Sequence, residues 1–264
     1  VTIFGRDAPL SGMCGGDLAA QAMSGFMATT GFANDVPTSA GVPLAEHAAA
    51  AFAVTAILAS LFHRDRTREG QDIDIAAVDC LVYFLSSFLP SVFVGGPLPT
   101  RQGFRHPLMA PWDVFDATDG KVVICSGNNA HWHAILRHIG RSDLIESERY
   151  ATSERRVMHV EEVNALIQNW IGTLRADDAI AQLHGIGIPA GPILDLAQVF
   201  AHPHFHARGM IRELDDGTRK SITPGSVYRM SRTPGAVARP APGIGADNAT
   251  FAIGVQARAP GAVA

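Results

Sequence analysis

The sequence has little cysteine, little charge and no long unbroken hydrophobic run, and each shortage excludes something. Among 264 residues there are three cysteines, Cys14, Cys80 and Cys125, widely spaced and without a CxxC pair. That pattern excludes a disulfide scaffold and a thiolate zinc framework, and it fits free thiols in a reducing cytoplasm. Charged residues make up 17% of the chain and the net charge is −4, with no long run of one sign. Nucleic acid is gripped by a concentrated Lys/Arg face, so it is not an expected partner. The apolar stretch at residues 48–61 begins just after Glu46 and His47, and the one at residues 81–94 is interrupted by Pro90. Neither reaches the roughly 18–20 apolar residues of a membrane span, so no membrane association is expected and both read as buried helices. No Walker loop and no Gly-x-Ser-x-Gly nucleophile elbow occurs.

What is present is ample apolar material, 47% of the residues, which predicts a real core. The alanine-rich segment from Leu44 to about His63 favours helix and is apolar on nearly all faces, so it is expected to be buried. Basic residues His63, Arg64, Arg66 and Arg68 complement its C-terminal dipole. Residues 71–75 alternate polar with apolar and read as a short strand; residues 77–89 read as a second apolar helix. Residues 95–111, rich in Gly and Pro, read as a loop. From Trp112 the texture changes. Two strands joined at Asp119-Gly120 are followed by a helix at 131–139, a striped helix at 155–174, a short helix at 177–183 and an extended segment at 188–194. Strands and a turn at Asp215-Asp216-Gly217 return after residue 209, and the tail from Pro234 is dominated by Pro, Gly and Ala. The expected class is α/β, organised as residues 1–100, 101–208 and 209–264, with the first and last forming one unit and the middle a smaller α+β domain.

Several segments taken together resemble the family III CoA-transferases (CaiB/BaiF type). They are Gly16-Asp17-Leu18-Ala19-Ala20-Gln21-Ala22-Met23-Ser24-Gly25, Gly41-Val42-Pro43-Leu44-Ala45-Glu46, and residues 64–74. Arg105-His106-Pro107, Ala110-Pro111, Gly187-Ile188-Pro189-Ala190-Gly191-Pro192 and Ala207-Arg208-Gly209-Met210 follow in the family's order and spacing. The resemblance implies the C-terminal portion of that fold: part of a Rossmann-like large domain, then a small domain, then a return to the large one. It also implies an intertwined homodimer, or a partner chain supplying a missing N-terminal half. The strand-like opening Val1-Thr2-Ile3-Phe4 fits an absent upstream part. No tightly bound cofactor is implied; coenzyme A arrives as the thioester substrate, with a carboxylic acid as the second reactant.

Such chemistry needs a group that attacks a thioester carbonyl, forms an anhydride and then carries CoA, which a carboxylate does. In the family this is an aspartate after the Gly-Val-Pro-Leu-Ala-type stretch; here the position holds Glu46. A first helical turn, with its unpaired N–H groups, favours an anion there, although such a glutamate is also common for stability alone. Asp17 aligns with an acidic position facing the active site; its plainer reading is a cap on the helix that starts at Leu18. Gly103, Arg105 and His106 fall in a loop that covers the active site in the family, where they would meet substrate anions. The racemase branch of the fold needs a histidine where this chain has Gly16, which disfavours an acyl-CoA racemase or isomerase. A non-catalytic partner subunit is the remaining alternative. His131, His133, His202, His204 and His206 lack a zinc-ligand pattern, and no metal site is expected.

Overall fold

The computed structural model describes residues 1–215, 217, 220–237 and 240–251. Asp216 of the expected turn, and the Pro/Gly/Ala-rich tail beyond residue 251, lie outside the described residues. The chain divides into two compact units, Val1–Ile193 and Leu194–Ala264, whereas the sequence suggested boundaries near residues 100 and 208.

The first unit holds two hydrophobic centres. One joins helices α1 (Asp17–Met23), α3 (Leu44–Thr67) and α4 (Ala77–Phe84). Its buried residues are Ala20, Ala45, Ala48, Ala49, Ala77, Cys80 and Leu81. Alanine faces let helix axes approach closely, which suits three helices meeting at one point. The short α2 (Phe26–Thr29) follows α1, and α5 (Leu89–Phe93) follows α4 after one 3-10 turn, so the expected 77–89 helix is broken. The expected strand at 71–75 does not form. Thr2 makes a single parallel bridge with Ala76, and no further neighbour among the described residues extends that ladder.

Helix α3 runs to Thr67, past the expected His63, and by length and composition it could cross a membrane. It is buried only at Ala45, Ala48 and Ala49, which corrects the expectation of a wholly buried helix. Helices α1 and α4 have 7 and 8 residues and do not cover the full 24-residue length of α3. Leu58, Phe62 and Tyr83 therefore remain 61%, 62% and 64% exposed.

The second centre surrounds an antiparallel sheet of β1 (Trp112–Asp116), β2 (Lys121–Cys125) and β3 (Ala190–Pro192), in that order. Helices α6 (Asn129–His138), α7 (Ser153–Met158), α8 (Val160–Ile171) and α9 (Ala176–Gly185) complete it. Asn128 caps α6 by accepting from the His131 amide at 2.8 Å. Val163, Ile167 and Ile171 recur at four-residue steps on α8 and are fully buried, with Trp132, Ile135 and Leu183 opposite. The expected single helix at 155–174 is interrupted at His159, whose φ of −115° and ψ of 29° leave the helical region.

In the second unit, α10 (Leu196–Ala201) and α11 (Pro203–Ala207) precede a two-stranded antiparallel sheet of β4 (Ile211–Asp215) and β5 (Lys220–Pro224). Asp195 and Gln198 form a capping box on α10, and Gly217 donates to Asp215 Oδ1 at 2.8 Å in the turn between the strands. A short helix α12 (Asn248–Phe251) closes the described chain.

Arg156 is fully buried and has no carboxylate partner among the described residues. Its Nε donates to Ala110 O at 2.7 Å, and its Nη1 donates to Tyr150 O at 2.9 Å and Asn129 Oδ1 at 3.0 Å. The guanidinium lies 5.8 Å from the Trp132 ring centroid. Replacing Arg156→Leu leaves those acceptors unpaired in the interior and is expected to cost about 3 kcal/mol. The check is the urea midpoint, which falls while the m-value holds.

Candidate functional site

Helix α3 begins without help from its own chain end. Its N-cap is Pro43, which has no side-chain acceptor, so the amides of the first turn need partners from elsewhere. Asp17, the first residue of α1, supplies them: its Oδ1 accepts from Ala45 N at 2.7 Å and from Glu46 N at 3.2 Å. Its Oδ2 accepts from Gln21 Nε2 at 2.5 Å. Gln21 is 1% exposed; it also donates to Val42 O at 3.1 Å and accepts from Ala40 N at 2.9 Å. Helix α1, the loop at 40–42 and the start of α3 are thereby tied into one knot.

Asp17 therefore caps a helix, as the plainer reading allowed, but the helix is α3 and not its own. Both carboxylate oxygens are occupied. Glu46 lies in the first turn of α3, as expected, and is exposed; its carboxylate makes no hydrogen bond or ion pair among the described residues. The N–H groups expected to favour its anion are taken by Asp17. Gly16 is the N-cap of α1, in extended backbone with open space where a side chain would stand. Sequence reasoning missed Gln21. Its i, i+4 spacing from Asp17 on one helix face was the available signal.

The loop carrying Gly103, Arg105 and His106 is fastened on both sides. The Arg101 guanidinium donates to three carbonyls, Phe32 O, Ala33 O and Asp35 O, at 3.2, 3.4 and 2.9 Å. Gly103 N donates to Gly31 O at 2.9 Å, and Phe32 meets Phe104 edge to face at 5.1 Å. Gly103 has φ of 66°, and an added Cβ would fall 2.6 Å from the Phe32 ring. Only glycine fits there on both counts.

Arg105 grips Glu161 of α8 with two bonds, at 2.7 and 3.0 Å, and gives its Nε to Asp113 Oδ2 at 3.0 Å. Asn164 donates to the same Asp113 oxygen at 2.6 Å. The pairing holds the Glu161 carboxyl below its ordinary range. Arg105 thus ties this loop to the second centre. His106 packs on Trp112 at 5.2 Å, and its Nδ1 accepts from Leu108 N at 3.1 Å. Burial lowers its pKa. A cleft of about 470 Å³ opens between the two loops, lined by Phe32, Asn34, Asp35, Phe104, Arg105 and Asp113 among others. Glu46 is not part of that lining.

The remaining candidates have local tasks. His202 Nδ1 accepts from His204 N at 3.1 Å and caps α11, while a His206 ring nitrogen pairs with Phe200 O at 2.6 Å. Among the described residues no three His, Cys, Asp or Glu side chains converge as a metal site would require. The three cysteines are free; burial raises the pKa of Cys80, whose thiol donates to Ala76 O at 3.3 Å.

The first unit is thus a mixed helix-and-sheet fold with an unpaired carboxylate on a clamped helix start. The chain belongs to CoA-transferase family III, which matches residues 1–248. It is 34% identical to the succinate–glutarate CoA-transferase of Agrobacterium fabrum over 93% of this chain and 62% of that protein. It is 35% identical to the succinyl-CoA:mesaconate CoA-transferase of Haloarcula marismortui over 82% of this chain and 54% of that one. Among solved structures, a CaiB/BaiF family protein from Brucella suis superposes with a TM-score of 0.80 at 32% identity, over 96% of this chain and 66% of that chain. The chain therefore spans about two thirds or less of the proteins it matches.

Two measurements check this arrangement. Gly103→Ala is expected to cost about 2 kcal/mol, from the positive φ and the Phe32 clash; amide exchange at residue 103 then rises. Because the folded state favours neutral His106, its contribution is complete above the ordinary histidine pKa of about 6.5 and is lost as pH falls below it. Exchange across 105–109 is expected to quicken on acidification, and His106→Asn flattens that dependence.

Proposed function

We propose that this protein is part of a CoA-transferase that moves coenzyme A between carboxylic acids, with Glu46 as the covalent carrier. The observation that carries the reading is the free Glu46 carboxylate on a helix start held by Asp17 and Gln21. A Glu46 oxygen attacks the acyl-CoA carbonyl; the C–S bond breaks, giving a mixed anhydride and CoA thiolate. The thiolate attacks the Glu46 carbonyl of that anhydride, and the donor acid leaves as a carboxylate. The incoming acid's carboxylate then attacks the glutamyl-CoA thioester, and the released thiolate completes transfer on the new acyl carbon. No external base and no redox step is needed.

Relatives named for succinate, glutarate and mesaconate support a short dicarboxylic acid as the acid substrate. Gly103 and His106 belong to a loop placed to cover bound substrate, while Asp17 and Arg105 act by holding main chain and loop. The position of Gly16 offers no second acid–base group, which weighs against racemisation. The exposed apolar side chains along α3, α4 and α5 support a homodimer or a partner polypeptide over that face. The free thiols fit a reducing cytoplasm.

Incubation with succinyl-CoA, trapping with hydroxylamine and mass spectrometry are expected to place the modification on Glu46. Glu46→Gln abolishes it. Glu46→Asp, the residue type usual in the family, retains it with a rate changed by no more than about a hundredfold for a displacement of about 1 Å. A modification that persists in Glu46→Gln would end this reading.

A further inference from the structure

A glutamate at the third position of a helix has a local partner available to it. In a capping box it folds back and accepts the backbone N–H of the N-cap residue, while the N-cap side chain takes the amide at the glutamate's own position. In α3 the N-cap is Pro43 and the third position is Glu46. Proline has no N–H, so the bond that would draw the Glu46 carboxylate back cannot form. The reciprocal half is taken as well: Asp17 Oδ1 accepts from Glu46 N at 3.2 Å and Ala45 N at 2.7 Å. The rest of Asp17 is locked by Gln21, whose amide is itself used at both ends. His47, the next residue, turns its ring backward, with Nδ1 2.6 Å from Pro43 O. The Glu46 backbone is held and its carboxylate is left without a partner.

We propose that Pro43 and Asp17 together keep the Glu46 carboxylate unpaired: Pro43 by withholding an N–H, Asp17 as a positioning residue that occupies the first-turn amides. The inference rests on Glu46 being the carrier of the acyl group. It adds a reason for two residues that do not touch the reacting atoms. During turnover the Glu46 carboxylate becomes a neutral anhydride and then a neutral thioester, and a bond to its own backbone would have to break each time. Asp17 leaves the amides with an acceptor while Glu46 changes state.

Three variants of the protein test this, each assayed for kcat, for KM toward succinyl-CoA, for Glu46 adduct per folded molecule and for thermal unfolding. Pro43→Ser restores an N–H and a capping side chain three residues before Glu46. Its expected result is an unfolding temperature equal to or above the parent's, with kcat lowered at least about tenfold and KM unchanged. Asp17→Leu removes the clamp, with kcat expected to fall about ten- to a hundredfold at unchanged KM. Asp17→Asn, which keeps an acceptor for the two amides, recovers part of that loss. Parent-like kcat in either Pro43→Ser or Asp17→Leu overturns the inference and leaves the Glu46 reading standing. So does a loss of activity matched by loss of folded protein. Absence of a Glu46 adduct in the parent itself removes both.

Discussion

The first turn of a helix leaves backbone amides without partners, and in this chain a carboxylate from another helix takes two of them. Asp17 on α1 accepts from Ala45 and Glu46 of α3, and Gln21 holds Asp17 in place. Most of the surrounding architecture follows from that contact. Helix α1 must lie against the start of α3, so Ala20, Ala45, Ala48 and Ala49 are small and buried. The loop at 40–42 must pass close enough for Gln21 to reach both Ala40 N and Val42 O. A polar side chain as buried as Gln21 is tolerable because both ends of its amide are paired.

The second centre is built on a different principle. Its core is a sheet covered by striped helices, with the buried Arg156 inside it and the partly exposed Arg105 at its edge. Arg156 serves main-chain carbonyls inside the core, and Arg105 ties the loop at 101–107 to α8 through Asp113 and Glu161. Together with Arg101 on the carbonyls at 32–35, these bonds give the loop a defined course beside the cleft.

Much of this was legible in the sequence, for identifiable reasons. Helix α3 was readable from its alanines, α8 from its four-residue stripe, and the β1–β2 hairpin from Asp119-Gly120. These are local signals that depend on neighbours along the chain. The strand expected at 71–75 had the right alternation, but a strand exists only through its partner, and Thr2 offers a single bridge. The break at His159 carried no proline or glycine to announce it. Among site residues, the place of Glu46 in a first turn followed from Pro43 and the helix behind it. Arg105 was read as a contact for substrate anions, and its partners Asp113 and Glu161 were not foreseen because they lie 8 and 56 residues away from it in sequence.

By itself the sequence determined which segments are helical, that Glu46 begins one of them, and that the chain carries the ordered motifs of a CoA-transferase family. Periodicity, capping residues and motif order are written along the chain. Only the tertiary structure decided what each polar side chain does. It turned Asp17 toward α3, spent Arg105 on two carboxylates, sheltered Gln21 and left Glu46 unpaired. Hydrogen-bond partners are chosen by distance in space, and the contacts between Asp17 and Glu46 close across 29 residues of chain.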